Sequence, residues 1–171
     1  MSSEEMSRQT VQGTVRIEGG RGVVRMDDHF DTDIDDLWSA LTEPPRLQRW
    51  LAEVVGEPRL GELLQARFAS GWEGQLRVEV CDQPNRLVVT SDPGSADETV
   101  MEAVLTAVSS GVRLVIEERG FAPDEVAAHG AGWQAHIEDL GAHLEQRDRV
   151  PWAERWRELA PGYTQMQAGL T

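Results

Sequence analysis

The stretch DIDDLWSALTEPPRLQRWL, residues Asp33 to Leu51, decides the fold predicted for this chain. It reads as two short helices separated at Pro44-Pro45, because the residue before a proline is pushed away from helical angles. A second stretch, GWQAHIEDLGAHL (Gly132 to Leu144), reads as one long helix with an apolar stripe. Only strand-like segments lie between the two. Together they predict an antiparallel sheet wrapped around a helix, an arrangement that often leaves a cavity.

The segments around these helices have the turn spacing of an antiparallel meander. Thr14–Glu18 and Val23–Phe30 flank Gly19-Gly20-Arg21-Gly22 and read as a hairpin. Asp33 or Thr32 can cap the first helix. Short strands joined by polar turns then follow, which argues against βαβ crossovers. These strands are predicted at Leu63–Phe68, Gln75–Cys81, Arg86–Ser91, Thr99–Val108 and Val112–Arg119.

Length and pattern fit one α+β domain with a tail at each end. The chain has 171 residues, enough to bury a proper core. Residues 1–12 are polar and aperiodic and are predicted to be a disordered tail, and residues 13–147 form the domain. Residues 148–171 are predicted to be a helical tail that carries Trp152 and Trp156, with Pro161-Gly162 ending its helix.

The charge balance excludes several classes of partner. The formal charge is −14, with 30 acids against 16 bases, and every base is Arg. Nucleic acid and anionic membrane are therefore not expected as partners. No apolar run approaches the ~20 residues that span a bilayer, and the N-terminus lacks the basic and apolar regions of a signal peptide. We expect a cytoplasmic protein, and the exclusive use of Arg favours a bacterial source.

Motifs for catalysis, metals or cofactors are missing from the sequence. It contains no phosphate loop, HExxH, nucleophile elbow or dinucleotide fingerprint. His129, His136 and His143 recur every seven residues on the long helix, about 10 Å apart per step, too far for one metal ion. We expect them to be solvated or at the helix edge. Cys81, the sole cysteine, is expected to be a small buried hydrophobe. No catalytic residue, metal or cofactor is predicted.

The order of these motifs resembles a known family. The first helix matches the pattern W-x-A-L-T-x-P at Trp38 to Pro44, and L-x-x-W-L follows at Leu47 to Leu51. Gly120-Phe121 after the last strand and Gly132-Trp133 in the long helix complete the resemblance. The chain is similar to the START-related SRPBCC superfamily. Within it, the nearest branch is the bacterial one like the activator of heat-shock chaperone ATPase (the Aha-type domain).

The resemblance covers residues 13–147 and implies a helix-grip fold with a cavity between a curved sheet and the last helix. It implies no single activity, since relatives bind lipids, steroids, hormones or polyketides and others assist chaperones. This chain also departs from the family near the end of the last strand. Members often carry a polar residue such as His there, and this chain has Glu118.

The predicted ligand site follows from strand alternation, the helical stripe and the resemblance. In the last strand Val112, Leu114, Ile116 and Glu118 share one face. Glu118 and Glu102 are the best candidates for buried acids, with exposure to solvent as the alternative, and Trp72 is placed at the pocket mouth. The residues predicted to contact a ligand are Phe68, Trp72, Met101, Leu114, Ile116, Glu118, Trp133, Ile137 and Leu140.

Three functions remain open at this stage. The leading one is a non-enzymatic binding module that encloses a small, mostly apolar molecule between the sheet and the long helix. The alternative is a co-chaperone-like or other protein-interaction domain, with a cavity filled by its own side chains and a protein partner at Trp152 and Trp156. A cyclase- or aromatase-like enzyme is the third, although no acid–base pair stands out in the sequence.

Overall fold

The fold is a curved antiparallel sheet closed by a long helix, as seen in a computed structural model that describes residues 12–170. Eight strands form one sheet in the order β1-β2-β8-β7-β6-β5-β4-β3. The strands are β1 Thr14–Glu18, β2 Arg21–Phe30, β3 Ala52–Val55, β4 Leu63–Phe68, β5 Glu73–Asp82, β6 Arg86–Ser91, β7 Thr99–Val108 and β8 Gly111–Phe121. The helices are α1 Ile34–Thr42, α2 Pro44–Leu47, α3 Val126–Leu144 and α4 Trp152–Ala168, with a 3-10 turn at Pro123–Glu125.

The helical corner forms for the reasons its sequence indicates. Asp33 caps α1, accepting a hydrogen bond from the backbone N–H of Asp36 at 2.8 Å. Pro44 opens α2, where its missing N–H removes no helical bond. Trp50 is fully buried, and its indole N–H donates to the carbonyl of Ala40 at 2.9 Å. Trp50 therefore ties the end of the corner back to α1.

The sheet is continuous because the chain returns to its first hairpin. Gly19 and Gly20 both have positive φ, which suits the two-residue turn between β1 and β2. After α1 and α2 the meander β3 to β8 runs back across the sheet, and β8 pairs with β2. The helix-grip architecture is confirmed: α3 lies against one face of the sheet, and α4 packs on α3 and β1.

Two regular elements differ from the sequence predictions. β3 was not anticipated; it is a four-residue edge strand that pairs only with β4. The prediction that Pro161-Gly162 ends the last helix is wrong, since α4 continues to Ala168. Pro161 has no N–H for the carbonyl of Arg157, but both residues are exposed, so water can take that bond. Leu159 and Tyr163, both fully buried, hold the helix on either side of the proline.

One smaller expectation, for Cys81, needs correction, and another, for the N-terminal tail, lies outside the described residues. Cys81 is exposed rather than buried; it lies one residue before the end of β5, opposite Leu87 of β6. Gly130 and Gly132, although unfavourable in a helix, do not interrupt α3, which runs unbroken from Val126. The disordered tail predicted for 1–12 lies outside the described residues, apart from Gln12. Within 12–170 no helix is long and apolar enough to cross a membrane.

Candidate functional site

A cavity of about 670 Å³ lies between the sheet, α3 and α4. Phe68, Met101 and Glu118 line it from the sheet, Trp133 and His136 from α3, and Trp152 and Trp156 from α4. Its exposed lining residues, which we call the rim, are Arg21, Ser70, Ala96, Asp97, Glu125 and Ala128. A second, apolar cavity of about 90 Å³ shares Phe68, Met101 and Trp133 with the first.

Glu118 is the polar centre of the large cavity. Strand alternation places it on the inner face of β8, directly opposite Met101 of β7. The Thr99 hydroxyl donates to one carboxylate oxygen at 2.6 Å, and the Trp133 indole N–H donates to the other at 2.7 Å. Burial raises the pKa of Glu118, and these two hydrogen bonds oppose that rise. Each oxygen keeps further acceptor capacity that a ligand can use.

Aromatic rings surround the rest of the cavity. Gly74 allows the Trp72 ring to lie close to β5, since a Cβ at this position would come within 2.5 Å of the ring. The Trp72 ring meets Phe68 edge to face at 5.2 Å between centroids. On the opposite wall, the Trp152 and Trp156 indoles stack at 6.4 Å. A flat apolar molecule would therefore contact rings from both the sheet and α4.

His136 is a buried, uncharged member of this aromatic wall. Its ring lies 5.4 to 5.9 Å from the rings of Phe68, Trp133 and Trp152. Burial lowers the pKa of His136 to about 3. The expectation that the helix histidines are solvated or at the helix edge is wrong for this one, because α4 covers the side of α3 on which it sits.

This burial has a measurable consequence for stability. Folded His136 stays neutral while the unfolded chain binds a proton below pH 6.5, so stability falls as pH falls through that range. From pH 7.5 to 5 the wild type should lose about 2 kcal/mol more than His136→Phe, at about 1.4 kcal/mol per pH unit below 6.5. Urea unfolding at several pH values measures this. His29→Phe, at an exposed position, is the control, and equal slopes for the wild type and His136→Phe would contradict the assignment.

The structure brings some of the predicted ligand residues together and leaves others in the core. Phe68, Trp72, Met101, Glu118 and Trp133 all line the large cavity. Ile116 lines only the small one. Leu114, Ile137 and Leu140 belong to the packed core and border neither cavity.

The second acid candidate, Glu102, does not share the environment of Glu118. Its carboxylate pairs with Arg86 at 2.7 Å and Arg119 at 3.2 Å. The hydrogen bond from Arg86 is the main reason that its pKa is lowered. Glu102 is therefore an ion-paired residue outside the large cavity.

Sequence reasoning missed several residues that line the cavity. Thr99 shares a strand face with Met101 and could have been found by alternation. His136 follows Trp133 by three residues, a spacing that puts both on one helix face. Trp152 and Trp156 were interpreted as a surface for a partner. In the structure their indole N–H groups donate to the carbonyls of Gly132 at 3.3 Å and Ala128 at 2.9 Å.

The lining of the cavity resembles that of a small-molecule site more than that of a metal site. Within the described part of the chain, no three His, Cys, Asp or Glu side chains come together as a metal ion would require. A shaped apolar space with a few convergent polar groups is typical of small-molecule sites. The space is open rather than filled by the protein's own side chains.

Comparison with known proteins places this geometry among related folds. Residues 31–145 match the family model described as Activator of Hsp90 ATPase homolog 1-like protein. The structure resembles EF2215 from Enterococcus faecalis, a protein of unknown function, with a TM-score of 0.76 and 19% identity over 99% of both chains. It also resembles CalU16 from Micromonospora echinospora, with a TM-score of 0.71 and 20% identity over 91% of this chain and 95% of that one.

A third similar structure is DynU16, a protein of the dynemicin biosynthetic locus. Its TM-score is 0.66 and its identity 23%, over 72% of this chain and 47% of DynU16. A search of curated proteins finds no match. At these identities the three structures show a shared fold.

Proposed function

The chain belongs to the Activator of Hsp90 ATPase homolog 1-like family, and we propose that it is a non-enzymatic binding module for a small, mostly apolar molecule. The cavity of about 670 Å³ is the observation that carries this proposal. Pockets of about 300–1,000 Å³ enclose ligands of drug-like size. The ligand would lie between the inner face of the sheet and the two last helices.

Affinity in such a site comes mainly from removing apolar surface from water. Each Å² of apolar area buried contributes roughly 25 cal/mol. Aromatic rings on two opposite walls of the cavity favour a flat ligand. One wall holds Trp72 and Phe68, and the other holds Trp152 and Trp156. The small apolar cavity beside Met101 can accept a short hydrophobic branch.

Orientation comes from the few polar groups. Glu118 is held in place by Thr99 and Trp133, so it can present a fixed acceptor to the ligand without reorganising. Pre-positioned groups of this kind reduce the entropy cost of binding. At the level of fold, the likeness to DynU16, from the dynemicin biosynthetic locus, supports the proposal.

The proposal is tested with the uncharged fluorescent probe N-phenyl-1-naphthylamine. Its emission should rise on titration with the protein, as it does when the dye enters an apolar site. Met101→Trp adds an indole to the cavity floor and should weaken binding about tenfold or more, because the ring takes space the probe needs. Fluorescence titration of each variant gives the dissociation constants.

A matched variant separates a cavity effect from a general one. Val104 lies on the same strand, β7, with its side chain exposed on the opposite face. Val104→Trp should leave the dissociation constant within about twofold of the wild-type value. No binding by the wild type, or equal losses in both variants, would overturn the proposed site.

A further inference from the structure

The charges that line the large cavity are unequally divided between acids and bases. Among residues 12–170, four carboxylates and one guanidinium face it. The carboxylates belong to Glu118, Asp92, Asp97 and Glu125, and the guanidinium to Arg21. Arg21 is exposed at the rim, whereas Glu118 is half-buried on the inner face of β8. A ligand that carries a carboxylate or phosphate would meet an excess of acidic groups in this lining and no basic side chain beside Glu118.

Glu118 has no cationic partner among residues 12–170. Its two hydrogen-bond donors, Thr99 and Trp133, are both neutral. The neighbouring Arg119 points to the other face of the sheet, where it pairs with Glu102 and Glu117. His136 carries no charge near neutral pH, since burial lowers its pKa to about 3. A carboxylate removed from water without a counter-ion is costly, and a cationic ligand would offset that cost.

The walls around Glu118 are also suited to a cation. Trp133 contacts the carboxylate directly, and the indoles of Trp72, Trp152 and Trp156 line the same space. Indole faces attract ammonium groups more strongly than the rings of Tyr or Phe do. An ammonium group in this tryptophan-lined cavity can pair with Glu118, whereas an alcohol or a carboxylate cannot form that ion pair.

We propose that the ligand of this cavity is an amphiphilic amine, with its ammonium group paired to Glu118 and its flat apolar body held between the sheet and α4. This inference rests on the proposed binding function and adds the chemical class of the ligand. It also assigns Glu118 as the residue that determines specificity.

Three compounds with one naphthalene ring test the charge preference by calorimetry. They are 2-naphthylmethylamine, 2-naphthylmethanol and 2-naphthoic acid, which differ only in the polar group. The wild type should bind the amine about tenfold tighter than the alcohol, because the amine gains both the ion pair and the cation–π contacts. The acid should bind more weakly than the alcohol.

Glu118→Gln should remove the preference while keeping the shape of the site. The amine should fall to within about threefold of the alcohol, and the affinity for the alcohol should stay at its wild-type value. Glu117→Gln is the matched control, since it removes the same charge one residue away on the outer face of β8. It should keep the tenfold preference.

The affinity for the amine should also depend on pH. Ammonium binding requires the ionised carboxylate, and burial raises the pKa of Glu118 in the free protein. Affinity should therefore increase as pH rises through that pKa and then level off, while the alcohol shows no such change. The other titratable groups facing the cavity are Arg21, Asp92, Asp97, Glu125, His129 and His136. Comparison with Glu118→Gln separates Glu118 from them.

The possible outcomes are distinguishable. Equal affinity for the amine and the alcohol, or a preference that survives in Glu118→Gln, would overturn the amine assignment and leave the binding function standing. Failure of all three compounds and of N-phenyl-1-naphthylamine would overturn both. If Glu118→Gln does not fold, the three wild-type affinities and their pH profiles decide the question alone.

Discussion

Replacing Tyr163 by Ala is expected to lower the free energy of unfolding by about 3–5 kcal/mol, the range for removing a buried aromatic side chain. The ring is fully buried between α4 and α3. Its hydroxyl donates to Gln134 at 2.7 Å and accepts from the backbone N–H of Gly13 at 2.9 Å. One side chain thus joins the last helix, the long helix and the chain segment that enters β1.

Two further variants divide this effect into its parts. Tyr163→Phe keeps the ring and should cost about 1–3 kcal/mol, because the buried backbone N–H of Gly13 loses its acceptor. Gln165→Ala, at an exposed position two residues on, should change stability by less than about 0.5 kcal/mol. Chemical unfolding measures all three. If Tyr163→Ala lowers the free energy of unfolding by less than Tyr163→Phe does, α4 is not an integral part of the domain.

Gly130→Ala and Gly141→Ala should shift stability in opposite directions, although both glycines lie in α3. A Cβ at Gly130 would come within 2.5 Å of the Tyr163 ring, so the substitution forces α4 away and should cost about 1–3 kcal/mol. At Gly141 the nearest atom would be 3.8 Å away, which is ordinary contact. There Ala should stabilise the helix by about 0.5–1 kcal/mol.

Thermal or urea unfolding of the two variants tests whether helix propensity or packing controls each position. If propensity alone mattered, both substitutions would stabilise the protein. A stabilising Gly130→Ala would therefore contradict the close approach of α4 to α3. Because α4 carries Trp152 and Trp156, Gly130→Ala should also weaken binding of N-phenyl-1-naphthylamine, whereas Gly141→Ala should not.

Local sequence signals predicted most of the fold. Apolar spacing and Pro44 located the helical corner, and glycine and polar turns separated the strands, so β1, β4, β6 and β7 have the predicted bounds. The signals failed where tertiary contacts override them. Buried Leu159 and Tyr163 keep α4 helical across Pro161, and β3 is a strand because it borders β4.

The candidate site was predictable only in part. Alternation along β7 and β8 put Met101 and Glu118 on the inner face. The long helix gave less information, because α3 is buried on almost every side, against the sheet on one side and α4 on the other. Its apolar stripe could not show that Trp133 and His136 face the cavity while Ile137 and Leu140 fill the core. The size of the cavity depends on where α4 lies, which no local pattern encodes.

The central claim is that a small apolar molecule binds inside the large cavity, and indole resonances test it most directly. The protein has six tryptophans. Trp72, Trp133, Trp152 and Trp156 line the cavity, and Trp38 and Trp50 lie in the core. In ¹H–¹⁵N spectra titrated with N-phenyl-1-naphthylamine, the indole signals of the four cavity tryptophans should shift, and the signal of Trp38, which borders neither cavity, should not. Shifts confined to surface amides, or no shifts at all, would contradict the account.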